Sequence, residues 1–491
     1  MKSILLALSV AVAANGSVGL WSSAPQLGAV VSRASLVAFQ FVPFVNDVDE
    51  HDVVVDFSVA PATVETIKGE GFTCTTSGAT ARCTRALFPA NTVGGITLGV
   101  RMPSEVTGFH ITVIATISAA SGSTYTWRPN VFVSKAFIVS ESRGSLADAI
   151  TQANAACVNN DPCEIEFPFS GTISESLPAI TAKHLKMDGH KDIVLDGTGL
   201  VFNGNSELEI SRFTIQNFDG GPGILLNAEP RTGLRATVED NVLTGNLRGI
   251  MTYNTAFTYI YDNVISNNRF SGVWVVNGYY PAVYRNVIEN NGASGVYFGP
   301  GCQFGMADDN EIRSNRDFGV AIDPQSKWTE VRGNSMKGNG QLGIDYGLDL
   351  VTPNVADDSR RSAPNAPVLT SATYDPLTKK TVIMGHVDLI KPADVGYYAP
   401  LIDLYVSSTL DANGMAQGEK PLYESLDYNL PIGLNRNTGD FVVIYSTDLT
   451  GQYISATYTR MYALGKGAPA PQYYENWQAT SEFSNPVRVT R

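Results

Sequence analysis

The chain has 491 residues, too many for one ordinary core, so two to four domains are expected. Its 34 Lys and Arg stand against 47 Asp and Glu, a formal net charge of −13, which excludes a basic surface for nucleic acid or anionic membrane. Charged residues are only 16%; Asn, Ser, Thr and Gly carry the polarity instead, which suits turns and strands better than helices.

The first residues read as an export signal spanning 1–14. Lys2 gives the positive start, Ile4 to Ala14 form the apolar run, and Ala11-Val12-Ala13 fits a small-x-small cleavage site. No later apolar run approaches the roughly 20 residues of a membrane span, so a secreted or cell-surface protein is expected. Residues 22–138 alternate apolar and polar side chains in runs such as "HDVVVDFSV" and "GFHITVIATIS", the pattern of a β-sandwich. Cys74 and Cys83 flank a hairpin-like stretch, and Cys157 and Cys163 flank "VNNDP". Two short disulfide loops are expected outside the cytosol, leaving Cys302 as a buried free thiol. No Cys/His pair has zinc spacing.

"SRGSLADAITQANAAC" is next. Ser145 can cap a helix with Asp148 three residues on, and Leu146, Ala149, Ile150 and Ala153 form one apolar stripe. Such a helix would cover the open end of the repeat that follows. That repeat runs through "EDNVLTGNLRGI", "YDNVISNNRFSGV", "YRNVIENNGASGV", "DDNEIRSNRDFGV" and "RGNSMKGNGQLGI". Its first asparagines, Asn241, Asn263, Asn286, Asn310 and Asn334, recur every 22 to 24 residues, and a second set, Asn246 to Asn339, follows each by five. A period in the twenties means stacked supersecondary units. Leucine-rich repeats would need more leucines and a helical side, so a parallel β-helix over 139–350 is expected. Leu243, Ile265, Ile288, Ile312 and Met336 read as one inward column, and Val238, Ile260, Val283, Ala307 and Val331 as another. The position after the first Asn (Val242, Val264, Val287, Glu311, Ser335) tolerates polarity and reads as outward. The Asn column reads as an amide ladder between turns, because buried amides need partners. The glycines at 249, 272, 295, 319 and 343 read as corners needing backbone freedom. Residues 351–365, around "DDSRRSAPNAP", read as a linker, and 366–491 as a second β-sandwich.

In order and spacing, "GSLADAITQAN", the Asn-Gly turns, "LGIDYGLDLVTPN", "APVLTSA", "QYISATYTR" and "ATSEFSNPV" resemble a bacterial secreted family of pectate-lyase-like proteins. The resemblance implies an all-β chain, a right-handed parallel β-helix flanked by Ig-like sandwich domains, exported and associated with the cell envelope. Upstream, "GFTCTTSGATARCTRALFPANTVGGITLGVRMPSE" is similar to sandwich modules of bacterial surface proteins.

Outward side chains on successive turns stack about 4.8 Å apart. After the glycines one column reads Met251, Trp274, Tyr297, Ala321, Asp345, and two residues on another reads Tyr253, Val276, Gly299, Asp323, Gly347. Rings beside carboxylates suit sugars, so Trp274, Tyr297 and Tyr253 are candidate contacts to an extracellular polysaccharide. A second group, Tyr261 and Tyr284 with Tyr259, Glu239, Asp308 and Arg332 nearby, offers the same chemistry on the face before the asparagines. Asp323 and Asp345 are the candidate catalytic pair, since diagonal neighbours lie roughly 7 to 8 Å apart, within an inverting glycosidase's range. A lyase would instead need clustered acids for calcium and a Lys or Arg base, which keeps Ca2+ open as a cofactor. The column Asp240, Asp262, Arg285, Asp309 reads better as a charge ladder, and the Gly-His-Gly of polygalacturonases is absent from the sequence. Polysaccharide binding, a polysaccharide lyase or glycoside hydrolase, and a structural spacer or adhesin are the functions left open.

Overall fold

A computed structural model describes residues 18–24, 29–104, 109–159, 161–228, 233–356, 363–389, 401–422, 433–435, 437–462 and 477–491. The expected export signal lies outside them. No helix among the described residues is long and apolar enough to cross a membrane. The chain divides into two compact units, residues 1–137 with 161–166, and residues 138–160 with 167–491.

The first unit is a β-sandwich whose first strand, Val18–Ala24, begins before the expected boundary at 22. One sheet is built around Leu36–Val45 and Ile96–Arg101, another around Glu50–Ser58, Thr80–Phe88 and Ile114–Ser118. Their strict alternation buries Phe39, Phe41, Val53, Val55, Phe57, Ile96 and Leu98 in one core. Cys74 and Cys83 face each other across the hairpin Thr73–Ser77 and Thr80–Phe88 and form a disulfide. Cys157 and Cys163 are also disulfide-bonded, and Cys302 is buried and free. Burial pushes the Cys302 thiol well above its ordinary range. Native protein treated with a thiol alkylator should therefore stay unlabelled, while denatured, unreduced protein should take one label, at Cys302. Labelling at Cys157 or Cys163 in the unreduced sample would refute this thiol map.

The second unit opens with the helix Ser145–Ala156, whose buried residues are Leu146, Ala149, Ile150 and Ala153. Its start differs from the expected Ser145 cap. Gly144 occupies the cap position at φ 88° without a side-chain cap, and Glu175 accepts from the Gly144 and Ala147 amides. A carboxylate there also complements the helix dipole. Asn154 then accepts from the Thr181 and Ala182 amides, pinning the helix to the first turn of the solenoid.

The solenoid has three parallel strands per turn. Thr258–Tyr261, Val264–Ser266 and Val273–Val276 form one turn; Ala282–Tyr284, Val287–Glu289 and Val296–Phe298 form the next, in one-to-one register. The expected inward columns are inside: Val238, Ile260, Val283, Ala307 and Val331 are buried, as are Leu243, Ile265, Ile288, Ile312 and Met336. Val242 and Val264 are each 37% exposed, on the outer face. The first Asn column forms the expected ladder. Asn263 Nδ2 donates to Val238 O on the turn before and to Asn286 Oδ1 on the turn after, and Asn286 repeats this with Ile260 O and Asn310 Oδ1.

The glycine column is present for another reason than backbone freedom. None of its members has a positive φ. A Cβ on Gly295 would lie 2.5 Å from Ile312 Cγ2 and 2.8 Å from Gly319 O, and its counterparts fare no better. Turns stack too closely there for any side chain. One left-handed corner falls one residue before each asparagine of the first ladder, at Asp240, Asp262, Arg285, Asp309 and Gly333.

The last turn is closed by the second sandwich. Its sheets are Val368–Asp375, Lys380–His386, Asp440–Tyr445 and Gly433–Leu434, and Leu401–Ser407, Lys420–Pro421, Tyr453–Tyr462, Trp477–Thr480 and Val487–Arg488. Gln417 ends the second Asn ladder: its Oε1 accepts from Asn339 N, and its Nε2 donates to Asn339 O and Gln341 O. The described ends of the expected linker are tied down, with Asn365 bonded to the Val355 backbone and to Asp388.

Candidate functional site

The face after the glycines is the sheet Arg248–Tyr253, Val273–Val276, Val296–Phe298, Val320–Ile322 and Ile344–Tyr346, with Met251, Trp274, Tyr297, Ala321 and Asp345 in register. Trp274 and Tyr297 are half-buried, their rings 5.4 Å apart and inclined by 74°. The Arg248 guanidinium lies 3.9 Å from the Trp274 ring centroid, a close cation–π contact. Burial draws the Arg248 pKa down, and among the described residues no carboxylate pairs with it. Arg248 Nε and Trp274 Nε1 are buried without an acceptor. Tyr297 donates its hydroxyl to Asp323 Oδ2 at 3.0 Å. Burial first, then this bond, pushes the Tyr297 pKa up to about 12. Tyr253 is half-buried at the end of its strand, opposite Val276.

The two carboxylates of this face are both engaged. Asp323 is 9% exposed, and its Oδ1 accepts from Gln325 N. Asp345 has no exposed surface; the turn that follows it folds back so that Leu350 N donates to Oδ2. Burial raises its pKa to about 6, and raises that of Glu482, from the C-terminal sandwich, to about 7.

On the face before the asparagines, Tyr261 and Tyr284 stack at 4.9 Å and 18°. Arg285 lies over both rings and forms a two-pronged bond to Asp262, one step of the charge ladder expected along Asp240, Asp262, Arg285 and Asp309. Burial raises both tyrosine pKa values, and at Tyr261 a bond to Glu239 adds to it. Arg332 of the same face is instead drawn into contact with the second sandwich, where it pairs with Asp403, and Asp308 accepts from the Arg332 backbone N–H.

A third aromatic array is not among the sequence expectations. Phe257, Tyr280, Phe304 and Trp328 stack at 5.5, 4.6 and 4.9 Å along one corner, all with φ between 52° and 56°. The signal is present, since they recur at the repeat spacing, yet large residues are unexpected at positive φ. Each ring is half-buried between its neighbours, which marks the array as corner packing.

Residues 198–352 match the family model described as right handed beta helix region, so the solenoid is a right-handed parallel β-helix. No curated protein matches the chain in sequence. Among solved structures, it is similar to the catalytic domain of a GH87 alpha-1,3-glucanase in complex with nigerose, at 12% identity over 69% of this chain and 79% of that one, TM-score 0.27. It is also similar to the catalytic unit of a thermostable GH87 alpha-1,3-glucanase from Streptomyces thermodiastaticus strain HF3-3, at 13% identity over 67% and 70%, TM-score 0.30.

Proposed function

We propose that the protein is a secreted or cell-surface β-helix that binds extracellular polysaccharide along the Arg248–Trp274–Tyr297 strip, with Tyr253 at its edge, and does not turn it over. The observation that carries this reading is a half-buried pair of rings 5.4 Å apart, beside a guanidinium that has no carboxylate partner among the described residues and a Tyr297–Asp323 bond. Rings supply apolar faces for pyranoses, and Arg248 supplies donors for hydroxyls or for a uronate carboxylate. Binding is favoured over catalysis because Asp323 is held by Tyr297 and Gln325, and Asp345 lies beneath the turn that follows it. A general acid or base needs reach to its substrate proton.

The test is affinity electrophoresis of the full chain in neutral and uronate-containing polysaccharides, with reducing-end release followed in parallel. Wild type should be retarded by at least one polysaccharide. Trp274→Ala and Tyr297→Ala should each weaken that binding by about 1–2 kcal/mol. Reducing ends should not accumulate. If they do, and Asp323→Asn abolishes them while binding persists, the protein is a hydrolase and the binding-only reading is wrong. If the aromatic variants bind like wild type, this strip is not the site.

A further inference from the structure

At the C-terminal end of the solenoid, three carboxylates meet. Asp345 comes from the last strand of the face, Asp349 from the turn after it, and Glu482 from the segment following Trp477–Thr480. One oxygen from each lies within 4.8 Å of the others. Among the described residues no Lys, Arg or His pairs with any of the three. Most of their oxygens have donors. Glu482 accepts from Tyr346 N, Thr352 N and Thr352 Oγ1, and Asp345 Oδ2 accepts from Leu350 N. Asp345 Oδ1 is the exception: the Leu348 and Asp349 amides face this carboxylate, but neither reaches Oδ1 at hydrogen-bond geometry, on a side chain with no exposed surface. Leaving a charged acceptor buried and unsatisfied is costly, and such an atom calls for a partner.

We propose that Asp345, Asp349 and Glu482 form a binding site for one hard divalent cation, Ca2+, which joins the last turn of the β-helix to the second sandwich. The donors are all carboxylate oxygens, with no His or Cys among them, which disfavours zinc and the softer transition metals. Two oxygens each about 2.4 Å from one ion lie at most about 4.8 Å apart, so the cluster fits a single calcium. An open pocket of about 300 Å³ beside Glu482, bordered by Tyr346, Gly347, Thr352, Asn354 and Asn365, gives room for entry and for water ligands. Asp349 is exposed and can swing onto the ion, whereas Asp345 and Glu482 are fixed. The site is independent of the aromatic strip: the cation acts on the junction and touches no ring of it.

The test uses the full chain stripped with a chelator, then titrated with Ca2+ by calorimetry and by thermal unfolding. One ion per chain should bind, and 1 mM-scale Ca2+ should raise the Tm by several degrees, with Mg2+ having a smaller effect. Terbium should replace Ca2+ and show luminescence sensitised by Tyr346. Asp349→Asn, at an exposed position, should fold like wild type yet weaken Ca2+ binding at least tenfold and reduce the Tm shift. Glu482→Gln should abolish both. Should Glu482→Gln fail to fold, Asp349→Asn decides alone. No Ca2+-dependent shift in wild type, or undiminished affinity in Asp349→Asn, overturns the proposal. Because glycan binding is read separately by electrophoresis, loss of one reading leaves the other standing.

Discussion

Asn286→Leu should destabilise the solenoid by several kcal/mol, and Asn334→Leu by about 1 kcal/mol less. Asn286 Oδ1 accepts from the backbone and side chain of Asn263, and its Nδ2 donates to Ile260 O, Tyr284 O and Asn310 Oδ1. Leucine strands all of these in a dry interior, each unsatisfied group costing about 1–3 kcal/mol before relaxation. Asn334 still accepts from Asn310 and donates to Ala307 O and Arg332 O. It lacks only the onward amide-to-amide bond, so the two sites differ by about one hydrogen bond. Chemical denaturation of both variants measures the gap. A negligible loss at Asn286 would mean that backbone pairing alone holds the turns together.

The ladder was legible because its spacing repeats and because each Asn keeps a fixed offset from an aliphatic residue that must face inward. The same logic assigned the wrong cause to the glycines, since a sequence shows the absence of a side chain but not what would collide with one. Gln417 was invisible for a different reason. It completes the ladder from 78 residues beyond Asn339, in a domain with no repeat, and no local pattern distinguishes it from a surface glutamine. Glu175 as the helix cap is a non-local partner of the same kind. For the candidate site, register along the strands was legible: Trp274 and Tyr297 are neighbours, and Asp345 stands in their column. Accessibility was not, because it depends on the turn after Asp345 folding back and on Glu482 arriving from the other domain. Column positions follow from period alone, while exposure depends on what the rest of the chain lays over them.

The second large effect is expected where Arg332 meets the second sandwich. Arg332 forms a two-pronged bond to Asp403, with both side chains at most 10% exposed, and lies 3.9 Å from Glu330. Its backbone N–H also donates to Asp308. Arg332→Met should therefore cost about 3–5 kcal/mol at pH 8, because Asp403 would stay buried without its partner. Two carboxylates, Asp403 and Glu330, lie at this guanidinium, while Asp308 accepts from the backbone N–H of the same residue. Burial pushes Glu330 up to about 7, with Arg332 opposing and Asp403 adding to the rise, and burial together with Glu330 pushes Asp308 up as well. The sign follows from linkage. Below the ordinary Glu value of 4.5 both folded and unfolded chains hold the proton, so Glu330 contributes nothing to the pH dependence. Between there and about 7 the unfolded chain releases it first, so stability falls as pH rises, and the loss is complete above the folded value. For Glu330 alone the loss is at most about 3.5 kcal/mol, since each tenfold change in proton affinity is worth about 1.4 kcal/mol. Glu330→Gln should flatten the stability profile between pH 5 and 8 and exceed wild type at pH 8, measured by denaturant unfolding with chelator present to silence any bound cation. A variant whose slope matches wild type would show that Glu330 is ionised throughout, paired with Arg332 more strongly than its burial opposes.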